Sequence, residues 1–261
     1  MNDLNSTFTE NIEERAFFEG MISFRAVAKA IREKNSDRKI EAVYFDTNKK
    51  VKLSKHLSYI KAMSHELSFP LYFIEADEIS AMTNGNSHGG ILTVCTKRTY
   101  PVLDKADMLK KDGFYIMLDG VEDPYNFAFS VRAAYAAGAD GLILPERNWM
   151  SAAGTVCRSS AGASELIDTM IFSDKTLKAF KRAGYRIVCT ALENSLPLGE
   201  ADLSKPLLAV IGGERRGISS NIMAEADEIV RIEYGRDDFS QSLPAASASA
   251  IFSFEILRRN S

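Results

Sequence analysis

Three separated stretches hold residue types able to do chemistry. In DGVEDPYNFAFSVRAAYAAGADGLIL (119–144), a strand end and a proline-containing turn lead to Asn126 and, six residues on, to Arg132. A guanidinium in that place can grip a phosphate through two parallel N–H donors. On residue physics alone, a capping Asn126 and a solvated Arg132 are the simpler reading. In LLAVIGGERRGIS (207–219), an apolar run ends in Gly212-Gly213, followed by Glu214, two arginines and Gly217. Glycines after a buried strand let backbone amides approach a ligand closely. Glu214 can accept a hydrogen bond from a ligand or orient Arg132; a plain surface glutamate is the competing idea. The pattern is neither a Walker A loop nor GxGxxG, which argues against a phosphate-cradling nucleotide site. In FSQSLPAASASAIFSFEILRR (239–259), Pro244 suits the first turn of a helix, and Ser242 just before it either caps that helix or touches a ligand. Leu243, Ala246, Ala250, Phe254 and Leu257 form a stripe of small and apolar residues, open to close approach by another backbone of the same or a second subunit, or to plain core packing.

Alternating strands and helices position these stretches. From 112 onward, apolar strands are expected at 114–121, 141–145, 169–172, 185–192, 206–213 and 228–234, with helices near 125–137, 149–160, 174–183, 217–224 and 243–258. Short apolar strands separated by helices predict a parallel sheet covered on both faces, with ligands beyond the carboxyl ends of the strands. The first part reads as a small α/β sandwich. A helix spans AFFEGMISFRAVAKAIRE (16–33), with further helices at 52–67 and 76–83; strands lie at 39–46, 70–76 and in ILTVCT, and NGNSHGG (84–90) is a turn. KRTYPVLDKADMLKKD, with Pro101 and little periodicity, is read as the interdomain connection. The expected domains are thus 1–97, a linker at 98–111, and 112–261.

Bulk properties narrow the class. The chain has 261 residues, 46% hydrophobic and 26% charged, enough for two domains each with a core. No apolar run reaches the roughly 20 residues of a membrane helix, so no membrane partner is expected. MNDLNSTFTENIEER lacks the features of a secretory signal, so the cytoplasm is expected. Cys95, Cys157 and Cys189 stand apart from one another and from His56, His65 and His88, which predicts buried reduced thiols and no metal. A net charge of −3 is not that of a general nucleic-acid binder, yet Lys29–Lys55 holds nine Lys/Arg against four Asp/Glu.

Taken in order and spacing, the three stretches resemble the SpoU/TrmH branch of the knotted SPOUT RNA methyltransferases. Asn126 and Arg132 match the first motif; Gly212, Glu214 and Gly217 match the second; Ser242 and Leu243 match the third, and RSSAGASE (158–165) is similar to the segment before the third strand. EGMISFRAVAKAI (19–31) and SHGGILTV (87–94) resemble the family's ribosomal-protein-like RNA-recognition domain. The resemblance implies an α/β domain with a deep trefoil knot, homodimeric through the C-terminal domain, with S-adenosylmethionine bent into the knot. It implies a cofactor pocket of Thr190, Ala191, Leu192, Gly212, Gly213, Glu214, Ile218, Ile232, Ser242 and Leu243. It also implies transfer of a methyl group to a ribose 2′-hydroxyl of RNA, with ribosomal RNA favoured over transfer RNA. The catalytic set is Arg132, Glu214, Asn126 and Ser242. Arginine keeps its proton in proteins, so Arg132 is assigned to the phosphate beside the target ribose and to the developing alkoxide, with Glu214 and Asn126 holding it.

The chain departs from the third motif, which has Asn where this sequence has Pro244, and from the second in many relatives, which have Asn where it has Gly213. Pro244 favours a rival reading, an RNA-binding or assembly protein of the same fold without catalysis. A nicotinamide-dependent oxidoreductase fits the α/β alternation but lacks the glycine fingerprint.

Overall fold

The computed structural model describes residues 15–83, 87–145, 152–236, 238–239 and 241–261. The N-terminal leader reading, the turn residues 84–86 and the start of the helix expected from 149 fall outside them. Two compact units emerge: the described residues of Met1–Thr99 with Asn148–Leu166, and those of Tyr100–Arg147 with Ile167–Ser261.

The first unit is built on β1 (Arg15–Glu19), β2 (Ile40–Asp46), β3 (Leu71–Ile74) and β4 (Ile91–Thr96), in the order β1-β4-β2-β3. The β1/β4 and β2/β4 pairs are antiparallel and β2/β3 is parallel. Helices α1 (Gly20–Arg32) and α2 (Ser54–Leu67) bury Phe24, Val27, Ile60 and Met63 against Phe18, Val43 and Phe45 of the sheet. The short α3 (Ala76–Ala81) sets Ile79 beside Tyr44, Leu92 and Val94 in a separate cluster.

The helix expected from Ala16 begins only at Gly20. Ala16 and Phe18 are buried in alternation and pair with Cys95 and Thr93, so the four residues before Gly20 are strand. Phe17 joins the α3 cluster and not the α1 face. Gly20, at φ +78, makes the strand-to-helix turn, a conformation that favours glycine.

Residues 152–166, counted from sequence with the 112–261 domain, cluster with the first unit. They form α5 (Ala153–Ser159) and α6 (Ala163–Leu166). A side chain on Gly162 would lie 2.6 Å from the Ala26 Cβ, which shows how closely the segment meets α1.

The second unit holds β5 (Phe114–Asp119), β6 (Gly141–Leu144), β7 (Asp168–Ile171), β8 (Arg186–Thr190), the two-residue β9 (Leu196–Pro197), β10 (Leu207–Gly212) and β11 (Glu228–Arg231). They form one sheet in the order β7-β6-β5-β10-β8-β11-β9, with every pair parallel. The strands are apolar on both faces because helices cover both. These are α4 (Pro124–Ala136), α7 (Thr176–Arg182), α8 (Ser220–Met223) and α9 (Ala245–Arg259). Residues 100–111, read as a connection, pack within this unit, with Leu103 fully buried and bonded through its N–H to the Ile171 carbonyl.

The stripe picked out on α9 is not the buried one. Ala245, Ser249, Phe252, Ser253 and Ile256 are buried, while Phe254 and Leu257 remain 48% and 38% exposed. Pro244 stands one residue before the helix, and its carbonyl accepts from the Ser247 and Ala248 amides.

Candidate active site

The site grows from the sheet's order. Because β10 pairs with β5 on one side and β8 on the other, and β11 follows β8, the turns after these strands emerge side by side. Gly212 lies opposite Asp119, and the Gly213 amide donates to the Asp119 carbonyl at 2.7 Å. The turn closes when the Gly217 amide donates to the Gly213 carbonyl at 2.9 Å, with Gly217 at φ +64. A Cβ on Gly213 would overlap the Gly120 carbonyl oxygen, so no side chain fits without parting the two strand ends.

The close approach accounts for glycine at position 213, and it makes a prediction. Gly213→Ala is expected to cost about 1–3 kcal/mol of stability, the usual range for overpacking, and to lower donor affinity at least tenfold. Gly217→Ala, with open space at its Cβ, is expected to cost only about 1 kcal/mol. Thermal melts and calorimetry compare the two; equal behaviour contradicts the assignment.

Asp119 adds a brace that the sequence reading missed. Its buried carboxylate accepts both the Ser219 amide and the Ser219 hydroxyl, each at 2.7 Å. This pins the start of α8 under the glycine turn. The available signal was Ser219, a serine immediately before a short helix.

Asp123, not Asn126, caps α4: its side chain accepts from the Tyr125 and Asn126 amides, with Pro124 at the first helical position. Asn126 is thereby released from capping, and its Nδ2 donates to Glu214 Oε1 at 2.7 Å. The first and second stretches therefore meet through this bond, 88 residues apart in sequence. Arg132 does not join them. It lies six residues beyond Asn126, about 120° around the helix and about 9 Å along it. It is exposed, has no partner among the described residues, and shares a helix face with the exposed Tyr125 and Phe129. Glu214 and Asn126 thus hold each other and do not orient Arg132.

Beyond the ends of β8, β10 and β11 lies a cavity of about 410 Å³. Thr190, Ala191 and Leu192 line one side and Gly212, Gly213, Glu214 and Ile218 another; Ile232, Ser242 and Leu243 complete the ten positions named from sequence. Arg216, Met223, Tyr234, Ala245 and Ala248 also line it and were not foreseen. Ser242 makes no helix cap and faces the cavity, and Pro244 is not among the lining residues. The volume lies within the roughly 300–1,000 Å³ of small-molecule and cofactor sites. Isoleucines and leucines offer an apolar wall for a flat ring; Thr190, Ser242 and the glycine backbone offer polar contacts. Burial pushes the Cys189 thiol, in β8, up to about 12, which keeps it protonated and unreactive.

Residues 113–254 match the model of the SpoU rRNA methylase family. A putative TrmH family tRNA/rRNA methyltransferase of Staphylococcus saprophyticus is 35% identical over 146 residues, 55% of this chain and 58% of that protein. A 23S rRNA (guanosine-2′-O-)-methyltransferase of Nitrosomonas europaea is 27% identical over 245 residues, 92% of both chains. The AdoMet-bound rRNA methyltransferase from Sinorhizobium meliloti shares the fold, with a TM-score of 0.74 at 23% identity over 95% of this chain and 88% of that one. With its family segment carrying both the bonded motif pair and the cavity, the chain belongs to the SpoU rRNA methylase family.

Proposed function

We propose that the chain is an S-adenosylmethionine-dependent RNA 2′-O-ribose methyltransferase that acts on ribosomal RNA as a cytoplasmic homodimer. The observation that carries this reading is the convergence of the turns after β8, β10 and β11 on one cavity inside the family segment. The relative that spans 92% of the chain, a 23S rRNA enzyme, favours ribosomal over transfer RNA. Among the described residues, no helix is long and apolar enough to cross a membrane.

When bound, S-adenosylmethionine supplies an electrophilic methyl carbon on its sulfonium. The protein's task is to hold the acceptor hydroxyl in line and to stabilise its developing negative charge. Ser242, at the cavity wall, offers a hydroxyl donor for that task, and the Asn126–Glu214 bond fixes the turn after β10. Arg132 grips the phosphate next to the target ribose. It is exposed on a face shared with Tyr125 and Phe129 and is not among the residues that line the cavity, which supports its serving the cavity of a second subunit. The exposed Ile251, Phe254 and Leu257 of α9 extend the apolar surface that a two-fold partner covers. Within this reading the second unit, Tyr100–Arg147 with Ile167–Ser261, is the trefoil-knotted catalytic domain, and the first unit, Met1–Thr99 with Asn148–Leu166, is the RNA-recognition domain.

The test is transfer of labelled methyl groups from S-adenosylmethionine to purified ribosomal and transfer RNA lacking the modification. Label in a ribose 2′-O position of large-subunit RNA is expected. Label confined to transfer RNA reassigns the substrate, and no label in either overturns the activity.

A further inference from the structure

We propose that the lysine-rich segment Thr47–Lys55, with the exposed ring of Phe73, is the surface on which the first unit takes single-stranded RNA; this rests on the RNA methyltransferase reading above. In a chain of net charge −3, residues 47–65 contain five lysines and no acidic residue. The segment follows β2 as a 3₁₀ turn, Thr47–Lys49, and runs into α2. Two bonds tie it to the end of the edge strand β3. The Thr47 hydroxyl donates to the Ile74 carbonyl at 3.2 Å, and Asn48 Nδ2 donates to Glu75 Oε2 at 2.6 Å.

That tethering brings Lys50 Nζ to 4.2 Å from the centre of the Phe73 ring. Phe73 is 39% exposed, packs edge-on against Phe45, and sits on a strand with no further neighbour in its sheet. The nearby acids are largely engaged. Lys49 faces the buried Asp46 at 3.7 Å, and Glu75 and Glu78 close the capping box of α3; Asp77 stands exposed beside them. Lys50, Lys52 and Lys55 are exposed and carry no ion pair among the described residues.

An aromatic ring beside a row of cations suits an unpaired nucleobase flanked by phosphates. A base stacks on the ring while Lys50 moves from the ring to the backbone. A duplex hides its base faces and gains nothing from Phe73. An acidic peptide would use the lysines but not the ring.

The test is fluorescence anisotropy with a fluorescein-labelled single-stranded oligoribonucleotide of mixed sequence, titrated with the full chain across a range of KCl concentrations. In the triple variant Lys50→Gln, Lys52→Gln, Lys55→Gln, the slope of log affinity against log salt is expected to fall by about 2, at roughly 0.7 for each phosphate no longer neutralised. Phe73→Leu keeps an apolar group against Phe45 and is expected to weaken RNA binding by about fivefold or more with the slope unchanged. Neither change is expected to alter S-adenosylmethionine affinity. An unchanged slope in the triple variant, full affinity in Phe73→Leu, equal binding of duplex RNA, or equal competition by polyglutamate overturns the surface. If the unaltered protein methylates RNA while the variants match it in binding, this surface alone is lost. If it neither binds nor methylates RNA, the functional reading falls with it.

Discussion

Replacing Arg132 with alanine is expected to lower methyl transfer by about 10²–10³-fold, the usual loss when one charge-stabilising donor is removed, while S-adenosylmethionine binding stays unchanged. The separation follows from the geometry: Arg132 is exposed, lies outside the cavity lining, and has no partner among the described residues to lose. Fold and donor pocket should therefore survive the change. A mixing experiment tests where the guanidinium acts. If the protein is the proposed homodimer, an equimolar mixture of Arg132→Ala and Gly213→Ala subunits, co-expressed or exchanged, gives about half mixed dimers. If Arg132 serves the other subunit's cavity, each mixed dimer has one intact site, and activity recovers to about a quarter of the unaltered level. If it serves its own cavity, every site carries a defect and activity stays at the average of the two variants measured alone. Full activity of the single Arg132→Ala protein removes the residue from the mechanism altogether.

The second large effect concerns stability. Glu165→Ala is expected to destabilise the first unit by about 3–5 kcal/mol, because it strands a buried guanidinium. Arg38 and Glu165 side chains are each only 3% exposed and are joined twice, Nε to Oε2 at 2.9 Å and Nη2 to Oε1 at 3.1 Å. Arg38 also donates to the Thr96 carbonyl at 2.9 Å and lies 4.9 Å from the centre of the Phe18 ring, so it has nowhere to turn for water. Glu165→Gln, which keeps the shape and one acceptor oxygen, should lose less. Urea unfolding with the slope held constant measures both; a midpoint unmoved by Glu165→Ala contradicts the assignment.

Much of the second unit was legible because its strands are apolar on both faces and its helices are not. The runs at 114–119, 141–144 and 207–212 could hardly be anything but buried strands. The first unit was harder at its start. Ala16–Glu19 has the apolar content of either element, and only pairing with β4, some eighty residues away, makes it a strand. The attachment of residues 152–166 to the first unit rests on Gly162 against Ala26 and on the buried Arg38–Glu165 pair, contacts between residues more than a hundred positions apart.

At the site, glycine spacing marked the turn after β10, and the motif order drew together the ten positions that line one cavity. The Asn126–Glu214 bond depends on β5 and β10 being neighbours, a fact of sheet order that no local pattern contains. The displacement of Arg132 from that pair follows from helical rotation and was already implied by a spacing of six. The α9 stripe illustrates a different limit. Small and apolar residues run around much of that helix, and the pattern alone does not say which face turns inward; Ser249, Phe252 and Ser253 do so, leaving Phe254 and Leu257 outside.

A crystal structure of the protein with S-adenosylhomocysteine tests the central claim most directly. The ligand is expected between the Thr190–Leu192 turn and the Gly212–Ile218 turn, in contact with Leu243, and with Arg132 of a second subunit facing the sulfur. Ligand bound elsewhere, or a cavity that stays empty at saturating ligand, contradicts the account.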